Sequence, residues 1–277
     1  MTVENEKFIE IEKVIGGKSP RLLKMLPKFL IRYLKRVIHE DDLNEALATH
    51  GHKQGAEFVE GILSMMQVSY TVAGIENLDP NGRYLFASNH PLGGLDGMIL
   101  IHAISKHYPN VKFPVNDLLM HLKQLHPVFI PVNKHGSQST ANAKLMEDAF
   151  ASSDQILYFP AGLCSRKQKG GIIEDLEWKK SFIAKAVKHE RDVVPVFFSG
   201  RNSKFFYNLA RIRSKLGLKA NIEMLYLVDE MYRQKGQSIT VTFGKPIPYQ
   251  TFDKSKTPQQ WAEWVKRMVY QISTSTK

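Results

Sequence analysis

The patterning of the chain predicts an α/β fold, a largely parallel layered sheet with flanking helices, preceded by a small helical N-terminal region. Three observations carry this. Beyond residue 67, short apolar runs of strand length alternate with helical patterns, the mark of the strand-helix-strand units that build parallel sheets. Before it, only helical spacing occurs. No internal repeat or long linker interrupts the series, so the divisions expected are 1–66, a helical region, and 67–277, an α/β domain.

The first helical segment spans Ser19 to His39. Leu22, Leu23, Leu26, Leu30, Leu34, Val37 and Ile38 recur at helical spacing, and Pro27 interrupts or kinks the run. Arg21, Lys24, Lys28, Arg32, Lys35 and Arg36 lie between them, with no acidic residue. The segment therefore fits either a helix lying on an anionic membrane surface or a surface helix packed on its own core. A second helix is expected from Asp42 to Met66, opened by Glu40, Asp41 and Asp42, whose charges suit the positive end of a helix dipole. Val68–Val72 then alternates as a strand, Asn77–Gly82 is a turn, and Arg83–Ser88 is a buried strand. Further strands are expected at Val111–Val115, Val128–Val132, Gln155–Phe159, Val193–Phe198 and Ser238–Phe243. Helices are expected at Leu95–His107, Ser137–Ala151, Trp178–Lys188, Ser203–Leu216 and Pro258–Ile272.

The 277 residues contain 43% hydrophobic side chains, ordinary for a globular protein and unlike a disordered or fibrous one. Lys and Arg number 38 against 27 Asp and Glu, a net +11 that favours anionic partners. Cys164 is the sole cysteine, which excludes an intramolecular disulfide or a cysteine-based zinc cluster and points to a reducing compartment. No run reaches the roughly 18 apolar residues of a spanning helix. The opening Met1–Lys7 lacks the charge and apolar order of a secretory signal, so a cytoplasmic protein, soluble or peripheral on a membrane, is expected. His50 and His52 have no third ligand nearby, and no metal site is expected. Phe205-Phe206-Tyr207 with Arg201, Lys204 and Arg211 has the composition of a base-stacking surface, but no nucleic-acid motif accompanies it and no nucleic acid is expected as a partner.

Chemistry concentrates in Ser88-Asn89-His90-Pro91-Leu92-Gly93-Gly94-Leu95-Asp96. A buried strand ends there, a glycine-bearing loop follows, and a helix begins near Leu95, which puts His90 at the carboxyl end of a strand, where α/β sheets bind ligands. A carboxylate beside a histidine fixes its tautomer and leaves the second ring nitrogen to take a proton. No Gly-x-Ser-x-Gly nucleophile elbow occurs, so the pair would act on a hydroxyl or amine carried by a substrate, as a general base. The competing reading is a helix-capping Asp96 and a histidine bonded to backbone.

Asn89-His90…Asp96 resembles the first signature block of the glycerolipid and lysophospholipid acyltransferases, the lysophosphatidate acyltransferase-like superfamily. There an Asn-His opens a His-x4-Asp motif; here five residues separate the two. His126–Lys134 is similar to the second block, with Lys134 the cation nearest the family's arginine, Phe159–Ser165 resembles the third, Phe-Pro-Glu-Gly-Thr-Arg-Ser, and Val194-Pro195-Val196 the fourth. The resemblance covers roughly residues 68–250. It implies that His90 is the general base and Asp96 its orienting partner, with Asn89, Gly93, Gly94, Lys134, Gly162, Ser165, Arg166 and Lys167 around the substrates. Backbone amides of the glycine loop would face the oxyanion.

Two departures bear on the acceptor. Ala161 and Cys164 stand where the family has Glu and Arg, while Arg166, Lys167 and Lys169 still supply cations. This is similar to the bacterial O-acyltransferases that complete amino-acid lipids, whose acceptor, a 3-hydroxyacyl amino acid, brings a carboxylate and a free hydroxyl. The resemblance thus implies transfer of a fatty acyl group from an acyl carrier protein or coenzyme A thioester to the hydroxyl of a lyso-lipid, as in ornithine or glycine lipid synthesis. No tightly bound cofactor is expected, and the enzyme would sit on the inner face of the cell membrane. A conventional phosphatidate-forming enzyme and a lipid hydrolase using the same dyad on water are the alternatives.

Overall fold

The computed structural model describes residues 8–116, 119–132, 140–218 and 220–275. Five helices come first: α1 (Ile11–Lys18), α2 (Pro20–Met25), α3 (Lys28–Val37), α4 (Glu40–His50) and α5 (Gly55–Met65). Each of the two helices expected here is split. Pro27 sits in an extended conformation ahead of α3, because proline cannot donate to the preceding turn. Gly51 caps the end of α4, and Gly51–Gln54 carries no apolar residue to continue a buried stripe. Phe58, Val59, Ile62 and Leu63 of α5 are buried in the main core, and α5 packs the helical region against the helix Gly94–Ser105.

The sheet strands are β1 (Ser69–Ala73), β2 (Tyr84–Ser88), β3 (Val111–Asn116), β4 (Phe129–Val132) and β5 (Gln155–Tyr158), then β8 (Asp192–Phe198) and β9 (Ser238–Phe243) after a small hairpin of β6 (Arg166–Lys167) and β7 (Ile173–Glu174). Their order is β1-β9-β8-β2-β5-β3-β4, parallel throughout except where β8 meets β9. Helices α6 (Gly94–Ser105), α7 (Thr140–Ala151), α8 (Ser181–Lys188) and α11 (Pro258–Ser275) flank it, with α9 (Lys204–Lys215) and α10 (Leu227–Tyr232) joined by a short helical turn, Ile222–Tyr226. Central β2 is buried along its whole length, as a parallel strand covered on both faces must be. Alternation then divides the core: Tyr84 and Phe86 face the cluster containing α5 and α6, Leu85 and Ala87 the cluster containing α8 and α11.

Pro195 interrupts β8 without loss of a ladder bond. Val193 exchanges both bonds with Ile247, so by alternation the Pro195 nitrogen points to that same side, where the chain bulges between Phe243 and Ile247 and only Gly244 donates to the Pro195 carbonyl. Fully buried Arg191 closes the opposite end of the sheet. Its guanidinium donates to the carbonyls of Phe150 and Asp154, both at 2.7 Å, and to those of Ala149 and Ser152, satisfying the C-terminus of α7.

Because β8, β2 and β5 are adjacent and parallel, their carboxyl ends bring Phe198, Asn89 and Phe159 to one edge of the molecule. Among the described residues no helix is long and apolar enough to cross a membrane.

Candidate active site

At the end of β2, the Asn89 side chain donates to the Phe198 carbonyl (3.0 Å) and accepts from the Phe198 amide (2.7 Å). Both halves of the amide are thereby engaged, and the start of the loop is pinned to β8. The chain then turns through Gly93, whose φ of +80° favours glycine. A Cβ there would meet Leu227 at 3.0 Å and the Cys164 sulfur at 3.3 Å, so a side chain would be strained by the backbone conformation and would also press on tightly placed neighbours.

Asp96 lies in the first turn of α6, fully buried. Its Oδ2 accepts from the Leu92 amide (2.8 Å), the Gly93 amide (3.0 Å) and His90 Nδ1 (3.0 Å). The capping reading and the dyad reading therefore describe the same carboxylate: two amides fix its position at the helix start, and that position fixes the imidazole. With five residues between them, the chain still turns at Gly93 and brings the two side chains to 3.0 Å. A carboxylate only accepts, so Nδ1 carries the ring proton, and among the described residues Nε2 has no hydrogen bond. Burial pushes the Asp96 carboxyl above its ordinary range, against the downward pull of His90 and the two amides. The Leu92 and Gly93 amides, being engaged by Asp96, are withdrawn from the oxyanion role expected of the glycine loop.

The third block lies directly against this loop. Phe159 stacks on the His90 ring, centroids 4.1 Å apart, and the Ser165 amide donates to the His90 carbonyl at 2.8 Å. Asp175 ties the two together: its Oδ1 accepts from the His90 amide (3.1 Å) and Ser165 Oγ (2.6 Å), its Oδ2 from Trp178 Nε1 (2.9 Å), and its own amide donates to Tyr270 Oη (2.8 Å). His90 is thus held at backbone, ring face and Nδ1, and remains 17% exposed.

Arg166 is placed differently from expectation. It is buried, donates to the Cys164 carbonyl (2.7 Å), and pairs with fully buried Glu223 at 2.9 Å, its guanidinium 5.1 Å over the Phe206 ring. Arg213 holds Glu223 from the other side at 3.2 Å. The Arg166 charge is therefore compensated within the protein. Lys167 is exposed, as is Lys179, whose ammonium lies 3.6 Å from where a Cβ on Gly162 would stand. Gly162 is exposed and takes a φ of +66°. Gly94 opens α6 with space around it. Ala161 is buried in the core shared with α8 and α11. Burial pushes the Cys164 thiol up to about 12, which keeps the sulfur protonated at neutral pH and removes it as a nucleophile. Lys134, the second-block cation, lies outside the described residues.

Sequence reasoning missed Asp175, Glu223 and Lys179. Glu223 carried a signal, being a lone acid just after the basic stretch of α9; Asp175 carried none, since His90, Ser165 and Tyr270 reach it from three other segments.

Beside this pairing of a histidine with a helix-capping aspartate at the mouth of an α/β sheet stands a match of residues 13–277 to the family model described as Acyltransferase. The chain belongs to that family and is an acyltransferase. It is 51% identical over 273 residues to Lyso-glycine lipid O-acyltransferase of Bacteroides thetaiotaomicron, covering 98% of this chain and 100% of that one. It is 50% identical to the protein of the same name from Phocaeicola vulgatus, covering 98% of each. Among solved structures, the 1-acyl-sn-glycerophosphate acyltransferase PlsC of Thermotoga maritima is similar with a TM-score of 0.49 and 15% identity, covering 95% of this chain and 92% of that one.

Proposed function

We propose that this enzyme transfers a fatty acyl group from an acyl thioester, on acyl carrier protein or coenzyme A, to the hydroxyl of a lyso-glycine lipid. What supports this most is similarity at 51% identity, over essentially the whole of both chains, to a lyso-glycine lipid O-acyltransferase. In this reading His90 Nε2 takes the proton as the acceptor oxygen bonds to the thioester carbonyl carbon. Asp96 stabilises the imidazolium through Nδ1. The tetrahedral intermediate then expels the thiolate, which recovers the proton from His90, giving the ester and free thiol with no covalent enzyme intermediate. No tightly bound cofactor enters this sequence.

The acceptor's carboxylate needs a cation with an unfilled coordination sphere, and Arg166 is already paired. Lys167 and Lys179, exposed beside the third block, take that role, with Lys134 assisting from the second, while Arg166 holds the block in place. Asn89, Gly93 and Ser165 shape the loop; Gly94 and Gly162 leave room for substrate. The basic segment Arg21–Ile38 holds the enzyme on the anionic inner face of the cell membrane, where the lyso-lipid resides.

Competition between lyso-glycine lipid and lysophosphatidate for one labelled acyl thioester tests the reading. Diacylated glycine lipid is the expected product. Preferential phosphatidate formation would make this a conventional glycerophosphate acyltransferase, and release of free fatty acid without ester would make it a hydrolase.

A further inference from the structure

Helix α9 presents two unlike faces. Phe206, Tyr207 and Ala210 are buried, as its packing against the third block requires. On the other side Phe205, Ile212 and Leu216, at i, i+7 and i+11, form a stripe exposed at 49%, 55% and 68%. Beside it runs a second stripe at the same spacing, Lys204, Arg211 and Lys215, all exposed. The helix contains no acidic residue, and nearby Glu223 is buried between Arg166 and Arg213. A surface helix that serves only its own core has no reason to expose such a stripe.

This face continues into the N-terminal helices. The Phe205 ring meets Tyr226 edge-on at 4.9 Å, and Tyr226 Oη lies 2.9 Å from Tyr33 Oη on α3. One turn before Tyr33 stands Phe29, 71% exposed among Lys28, Arg32 and Lys24. Leu225, in the turn that carries Tyr226, is exposed too. The aromatic contacts thus join two basic, apolar patches from opposite parts of the sequence, one on α3, which ends at Val37, and one on α9, which begins at Lys204.

We infer that the exposed face of α9, with the Ile222–Tyr226 turn and α3, forms one docking surface for an anionic lipid bilayer. Charge complementarity selects the occupant: cations flank the apolar stripe on both helices without an acidic residue among them, the arrangement of interfacial helices. The inference rests on the proposed lipid acceptor, and it adds to the N-terminal segment a second contact adjoining the site. Phe206, next to Phe205, packs against Cys164 of the third block, so one helix diameter, ~10 Å, separates the bilayer face from the His90 loop.

Co-sedimentation with phosphatidylcholine vesicles, with and without phosphatidylglycerol, tests it on the full chain. Two triple variants are compared with wild type, Phe205→Ser/Ile212→Ser/Leu216→Ser and Lys204→Gln/Arg211→Gln/Lys215→Gln, with melting curves confirming the fold. Each cation at a bilayer surface is worth about five-fold in binding, so the charge variant should bind anionic vesicles on the order of 100-fold more weakly, and the apolar variant should also lose affinity. Folded variants that bind as wild type does would overturn the inference while leaving attachment through Arg21–Ile38 intact. Wild type that ignores vesicles but binds an oligonucleotide, or self-associates through this face, would overturn it also. Vesicle binding lost in both variants, in a protein that fails to acylate lyso-glycine lipid, would uphold the surface and sink the acceptor assignment.

Discussion

Two ionic clusters flank the third block, and they are built in opposite ways. In the Arg166–Glu223–Arg213 cluster both carboxylate oxygens are taken by guanidinium groups, and Arg166 directs further donors to backbone carbonyls. Each guanidinium has a carboxylate oxygen, although two cations share the one anion and the cluster keeps a net positive charge. In the His90–Asp96 pair three donors hold one carboxylate oxygen, Oδ2, while buried Oδ1 has no partner among the described residues, and the imidazole keeps one nitrogen without a hydrogen bond and an edge open to solvent. Charge alone therefore does not mark a reacting group. What sets His90 apart is an open ring nitrogen at the surface, beside a carboxylate held through Oδ2 alone while its buried Oδ1 has no partner among the described residues.

The sharpest way to break this comparison is His90→Ala. On the proposed mechanism turnover should fall by about 10²–10⁴, with only a modest drop in melting temperature from loss of the Phe159 stack and of the bond to buried Asp96. A folded variant with near wild-type turnover would end the dyad mechanism. The wild-type rate should also fall with acid: the base is then protonated, and because burial raises the Asp96 carboxyl, its protonation adds to the loss at a higher pH than for an ordinary aspartate; a pH–rate profile measures the two together as one acid limb.

The closed cluster should answer in stability instead. Glu223→Ala leaves two largely buried guanidinium groups without a counter-charge, which should cost roughly 3 kcal/mol in a urea titration, with a smaller effect on turnover than His90→Ala. The reverse pattern, catalysis lost and stability kept, would place Glu223 in the chemistry and erase the distinction. Asp175 stands between the two, structural in its bonds but attached to the His90 loop. Asp175→Asn should lower kcat about 10-fold with KM for the acceptor little changed, as expected for a weakened charge-assisted bond to the His90 amide.

The smallest effect belongs to a surface cluster. Glu147 accepts from Lys185, Lys188 and His189 and is held at about 2, chiefly by its hydrogen bond from Lys185. It is 38% exposed, so Glu147→Gln should cost no more than about 1 kcal/mol. A lowered carboxyl stabilises the fold above its ordinary range and loses that contribution as pH falls toward 2, so the difference from wild type should be present at neutral pH and shrink in acid. Thermal melts across that range measure it.

The sequence was enough to order the strands and helices along the chain, because period and punctuation are local: β2 reads as a continuous apolar run, and the glycines before Leu95 mark a strand-to-helix turn. It likewise exposed Asn89, His90 and Asp96, which share one short segment, residues 89–96. It did not yield α1, the β6–β7 hairpin or the turn and helix over 222–232, which are too short to carry a period of their own. Nor did it separate Arg166 the candidate ligand from Arg166 the buried partner of Glu223, 57 residues away. Which cation is left open depends on which carboxylate packing delivers to it, and Asp175 reaches His90 across 85 residues by the same route. Local patterns are written in neighbouring residues; the filling of a side chain's remaining valences is decided only when distant segments are packed together.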